Sequence, residues 1–195
     1  MNRQISFSQY RTIDLTIMTA VLAISQFAIY VASSFLYPEQ LYVVSPVAAV
    51  VALVMMRWSG YAAILAAFGG VFFTALSGGT WQHYVIYGVG NLLSMAALMM
   101  FKIWDKERVR KDATLALVFA LCTQLLMQLG RAGIAAVFGF PAAACLGFIT
   151  TDVLSALFTL FVMWAVRRIE GLFEDQKHYL LRIQSEQKVE RGEQF

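Results

Sequence analysis

Residues 113–138 read ATLALVFALCTQLLMQLGRAGIAAVF, and this stretch decides the fold. It carries one charged side chain, Arg131, and no proline. A bilayer core needs roughly 20 mostly apolar residues in a single helix, so the run is long enough to span. Working outward, comparable apolar stretches occupy 12–36, 41–56, 59–77, 83–101 and 142–166. The composition agrees. Of 195 residues, 59% are hydrophobic and 14% charged, whereas soluble domains carry about 25% charged residues. The expected fold is an all-α membrane protein, a bundle of about six transmembrane helices over residues 1–168. A cytoplasmic helical tail, amphipathic or frayed, fills 169–195. Residues 1–10 are polar and precede an apolar run of spanning length, which argues against a cleavable leader.

The separators have the composition of turns: Tyr37-Pro38-Glu39-Gln40, Arg57-Trp58-Ser59-Gly60, Ser77-Gly78-Gly79-Thr80, the charged run 102–112, and Gly139-Phe140-Pro141. In the second stretch, Ser45-Pro46 reads as a cap followed by proline at the first helical position, which leaves a short helix. The alternative is one long helix over 46–76 with Arg57 inside it. Charge placement favours six spans. With a cytoplasmic N-terminus, every one of the 15 lysines and arginines except Arg131 falls on the inner side, a strong positive-inside pattern. Both termini are then cytoplasmic. Five spans would bury Arg57 and turn Arg3 and Arg11 outward. Past Ile169, the apolar residues Leu172, Phe173, Tyr179, Leu180 and Ile183 approximate one helical face. That segment could extend the sixth helix along the inner membrane surface, or form a solvated tail.

Ionisable groups in mid-membrane cost about 2.5–3.5 kcal/mol on insertion scales, and here they come with polar stripes at helical spacing. The fourth stretch has Tyr84, Tyr87, Asn91 and Ser94; the fifth has Gln124, Gln128 and Arg131; the sixth has Asp152, Ser155 and Thr159. Each set falls on one helical face, and all three lie in the outer half. Tyr37, Glu39, Tyr42, Trp81, Gln82 and His83 add polar and aromatic groups in the outer loops. An outward-opening pocket lined by Trp81, His83, Tyr84, Tyr87, Asn91, Gln124, Gln128, Arg131 and Asp152 would suit a small, flat, water-soluble molecule. Arg131 would meet an anionic group on it. Two plainer readings stand beside this one. Arg131 and Asp152 can neutralise each other while the amides join helices, and the rings can form an interfacial aromatic belt. Small residues on the first helix, Ala20, Ala23, Ala28 and Ala32, permit close approach of another helix, either within the bundle or from a partner.

Several classes are disfavoured. There is no phosphate-binding G-x-x-x-x-G-K-[ST], no H-E-x-x-H and no G-x-S-x-G. Two histidines and two cysteines, Cys122 and Cys145, build neither a metal site nor a disulfide framework. The sequence is therefore read as non-enzymatic, without metal or cofactor, and nothing in it calls for a nucleic-acid partner. The polar stripes stop near mid-membrane, which disfavours an ion channel.

The run Arg11-Thr12-Ile13-Asp14-Leu15-Thr16-Ile17-Met18-Thr19-Ala20-Val21-Leu22-Ala23, the later segment pattern and the outer polar cluster resemble the substrate-binding S components of energy-coupling-factor vitamin transporters. The resemblance covers about residues 10–168. It implies a six-helix bundle with an outward vitamin pocket, working in a prokaryotic plasma membrane with a coupling subunit and two ATPase subunits. It also implies that alanines at every fourth position of the first helix meet the coupling subunit. Ala28 and Ala32 fit that pattern, while Ile24 interrupts it after Ala20. The ligand itself does not carry over. The alternatives are a proton-coupled secondary transporter using Asp152, which Arg131 at similar depth disfavours, and a ligand-free structural or assembly protein.

Overall fold

A computed structural model of the chain describes residues 6–36, 44–169 and 171–190. Expectations placed on Arg3, Tyr37, Glu39, Tyr42 and Arg191 lie outside the described residues. Within them, every regular element is helical. Five helical stretches are long and apolar enough to cross a bilayer: Phe7–Leu36, Val47–Leu76, Trp81–Ile103, Ala113–Val137 and Ala142–Val166.

The second stretch is not one rod. The backbone leaves the helix at Ser59, with φ 52° and ψ −121°, and a 3-10 turn over Ser59–Tyr61 follows. A straight helix would hold Val47 and Gly69 about 33 Å apart. Instead, a Cβ built on Gly69 would lie 2.8 Å from Val47 Cγ1. The stretch is a hairpin of α2 (Val47–Trp58) and α3 (Ala62–Leu76). With α1 (Phe7–Leu36), α4 (Trp81–Ile103), α5 (Ala113–Val137) and α6 (Ala142–Val166), the described residues form a bundle of six helices, two of them from one of the five long stretches. A tail helix, α7 (Gln176–Glu190), follows.

Helix α2 has only 12 residues, all of them buried. At 1.5 Å per residue it is about 18 Å long, too short to span. A helix that is apolar all round belongs in a core, and α2 packs against α1, α3, α5 and α6. Its N-terminal residue Val47 lies against Gly69, which also faces Leu22 of α1. The chain ahead of it is non-helical, and there the Ser45 amide donates to Ser155 Oγ of α6 at 2.8 Å. Non-helical backbone thus enters the bundle at the depth of Ser155.

Arg57 lies in the last turn of α2, at its other end. The side chain is buried rather than placed in an open loop, because the hairpin turn tucks beneath α1. Arg57 Nη2 and Nε donate to Asp14 at 2.7 and 3.0 Å, and Nη1 donates to the carbonyls of Gly171 and Leu172 at 2.9 Å each. The start of α1 and the chain just beyond α6 therefore meet at one end of the bundle, as an even number of passes requires.

The segment after α6 does not extend that helix. α6 ends at Val166, and the chain turns at Gly171 with φ 73°. Phe173 is buried, whereas Ile169 and Leu181 stay exposed. Glu174 accepts from Arg110 and Arg182, Asp175 accepts from Lys106 at 2.6 Å, and Tyr10 donates to Gln176 at 3.0 Å. Polar partners on α1 and on the 102–112 loop hold this strap against the bundle more firmly than its sparse apolar face could.

Candidate functional site

Three glycines bring α3, α4 and α5 into backbone contact. A Cβ on Gly130 of α5 would stand 2.0 Å from the Gly90 carbonyl of α4, and one on Gly70 of α3 would stand 2.2 Å from the Tyr87 carbonyl. The residue after each of the first two is polar. Gly90 is followed by Asn91 and Gly130 by Arg131, so the crossing delivers these two side chains to each other.

Arg131 Nε donates to Asn91 Oδ1 at 2.7 Å, and Asn91 Nδ2 donates to the Ala66 carbonyl of α3 at 2.9 Å. On the other side, Arg131 Nη1 lies 3.6 Å from Asp152 Oδ2. Gln124 Nε2 donates to that same oxygen at 2.9 Å, and Thr159 donates to Gln124 Oε1 at 3.4 Å. Four helices thus share one buried polar network, with Gln128 buried alongside, one turn from both Gln124 and Arg131. Helix regularity fails around it. α6 is interrupted at Thr151 and Asp152, between the halves Ala142–Thr150 and Val153–Val166. α4 is wound as 3-10 over Asn91–Met99, nine residues, where runs beyond three or four are uncommon and mid-helix examples often mark hinges.

Aromatic rings close the cluster on one side. The Arg131 guanidinium carbon sits 5.0 Å over the Tyr87 ring. Tyr87 in turn packs against Phe73 at 5.2 Å and Phe148 at 5.8 Å, and its ring is stacked with that of His83 at 6.5 Å. His83 also closes a capping box with Thr80 at the start of α4. It is attached to the cluster only through Tyr87. Two of the expected lining residues are exposed. Trp81 is 65% exposed and meets Phe138, and Tyr84 is 36% exposed.

The guanidinium retains unused donors. Among the described residues, its one hydrogen bond is from Nε. Among the described residues, the buried side-chain atoms without any partner are Gln26 Oε1 and Arg167 Nε. The Arg131 side chain is only 8% exposed, and its Nη1 makes only the longer contact to Asp152 at 3.6 Å. The arrangement can orient and neutralise an anionic group. Among the described residues no set of three His, Cys, Asp or Glu is grouped to hold a metal ion.

The sequence missed Phe73 and Phe148, which flank Tyr87, and it missed the anchoring of Asn91 to α3. The repeated glycine–polar pair, Gly90-Asn91 and Gly130-Arg131, was the available signal for the crossing. On α1, Ala20, Ala28 and Ala32 lie on the exposed face and Ala23 is half-buried. Comparison with family models, curated proteins and solved structures gives no match.

Proposed function

We propose that this protein captures a small water-soluble, vitamin-like molecule bearing an anionic group, as the membrane-embedded S component of an energy-coupling-factor importer. On this reading it lies in a prokaryotic plasma membrane with both termini cytoplasmic. A coupling subunit and two ATPase subunits supply the energy. The observation that carries the reading is Arg131, a buried guanidinium with free donors, backed by an aromatic ring and steadied by Asn91 and Asp152. A purely structural ion pair would bring these donors to hydrogen-bond distance, whereas Nη1 stays 3.6 Å from Asp152, and burying an imperfectly paired charge is expensive. The interrupted α6 and the non-helical chain at Ser45 support it further. Irregular backbone at membrane depth is tolerated where it is buried in protein or lines an aqueous cavity. The exposed alanines of α1 would offer the coupling subunit a close-packing face.

Native mass spectrometry of gently purified protein tests the reading, by looking for a co-purifying small acid. Arg131→Ala is expected to weaken binding of that molecule by about 1.5–3 kcal/mol, the range for a lost charge-assisted hydrogen bond, while Trp81→Ala has little effect. Normal binding by a folded Arg131→Ala protein would leave the pair as helix glue. Concentrative uptake by the chain alone in liposomes, driven by a pH gradient, would replace the importer subunit with a secondary transporter.

A further inference from the structure

At the end of α6, Arg167 carries a buried donor with nothing to donate to. Among the described residues, its inaccessible Nε has no partner, and its Nη1 reaches the Lys111 carbonyl at 3.5 Å. Native structures satisfy nearly every such group, with protein, water or a bound ion. Next to it, the Arg168 guanidinium lies 3.9 Å over the Trp164 ring. Trp164 is stacked with Phe161 at 6.5 Å, and both rings are exposed on the outward side of α6. Lys111, also exposed, completes the basic group and pairs with Glu107 at 3.2 Å. Among the described residues, the Asp112 carboxylate is engaged by the Thr114 and Leu115 amides.

We propose that Arg167, Arg168 and Lys111 bind the phosphate of an anionic phospholipid, with Trp164 and Phe161 against its glycerol and upper acyl chain. A guanidinium recognises phosphate by charge and fork geometry, and at the end of α6 Arg167 and the exposed Arg168 stand side by side beside the exposed Trp164 ring. The exposed rings point to a lipid rather than free phosphate, because a soluble anion would leave them uncovered. Their place, in the last turn of a spanning stretch, is the headgroup level, where tryptophan and snorkelling arginine collect.

The test uses the full chain in vesicles of phosphatidylcholine doped with brominated phosphatidylglycerol or with brominated phosphatidylcholine. Quenching of Trp164 is isolated from that of the other tryptophans by subtracting a Trp164→Phe protein. The expected result is selective quenching by the anionic lipid, falling roughly fivefold for each arginine removed and lost in Arg167→Gln/Arg168→Gln. Added inorganic phosphate should leave it unchanged. Equal quenching by the two lipids in the native protein would overturn the proposal, whether or not the glutamine variant folds. So would undiminished selectivity in a folded glutamine variant. Displacement by inorganic phosphate would make the site one for a free anion and remove the lipid from it.

Discussion

Asp14 and Arg57 are 43 positions apart in sequence, and each lies next to apolar runs where an isolated charge would be expensive to bury. Their bidentate contact at 2.7 and 3.0 Å, with two tail carbonyls on Nη1, makes burial tolerable. Removing one partner of such a pair costs about 3–5 kcal/mol, because the other charge is left uncompensated. Asp14→Ala should therefore lower the thermal unfolding temperature sharply in detergent, with Asp14→Asn falling less far. An Asp14→Ala protein that melts with the wild type would show that the pair contributes nothing. Sequence reading counted Arg57 as an inner-loop charge and gave Asp14 no role. A positive-inside count locates a charge along the membrane normal and is blind to lateral pairing. The same limit explains Tyr84 and Tyr87. Spacing alone put both on the site face, but neighbouring rings from α3 and α6 cover only one of them.

Helix existence and order were legible because apolar composition over spanning length leaves little choice, and Ser45-Pro46 marked α2 as short. The winding of α4 was not legible, since its 3-10 segment begins where tertiary contacts pin Asn91. Glycine contacts carry that pinning. Gly130→Ala would drive a methyl to within 2.0 Å of the Gly90 carbonyl, and overpacking of this kind costs about 1–3 kcal/mol. The variant should lose stability and separate Arg131 from Asn91, whereas Gly133→Ala, which meets open space, should be silent in the same melting assay. The strap beyond α6 makes a different prediction. Burial would raise the Asp175 carboxyl, but the Lys106 hydrogen bond and charge, with the His178 and Lys177 amides, hold it below the usual range. Glu107 is likewise lowered, chiefly by its hydrogen bond from Arg110. A lowered carboxyl stabilises fully above its unfolded value and loses that contribution as pH falls through the folded one. The strap should therefore stay docked from neutral pH to about 4, the ordinary aspartate range, and loosen only below it. Spin labels at Ser185 and Arg108 report the distance. Separation at pH 6 would contradict the assignment.

At the scale of the molecule, the six-helix reading makes a labelling prediction. Single cysteines in the Ser77–Gln82 turn should react with an impermeant reagent from outside intact cells, and those in the 102–112 loop should react only after permeabilisation. The reverse pattern would invert the orientation inferred from charge. The bundle was legible from sequence because hydropathy and arginine placement act over whole segments. The site was legible only in outline. Arg131, Asn91, Asp152 and Gln124 do converge, but the contacts that set their spacing come from α3 and from glycines that no polar stripe records.

The brevity of α2 also bears on how the protein is made. A helix of about 18 Å cannot settle alone in a hydrocarbon layer about 30 Å thick, and its burial depends on α5 and α6. Those helices are completed only when residue 166 has been synthesised, 108 residues after Trp58 (166 − 58). At about 5–20 residues per second, the hairpin waits roughly 5–20 s for its neighbours. During that interval α2 is an orphan. Biogenesis must shelter it, within the insertion machinery or against α1, until the second half of the chain arrives to close around it.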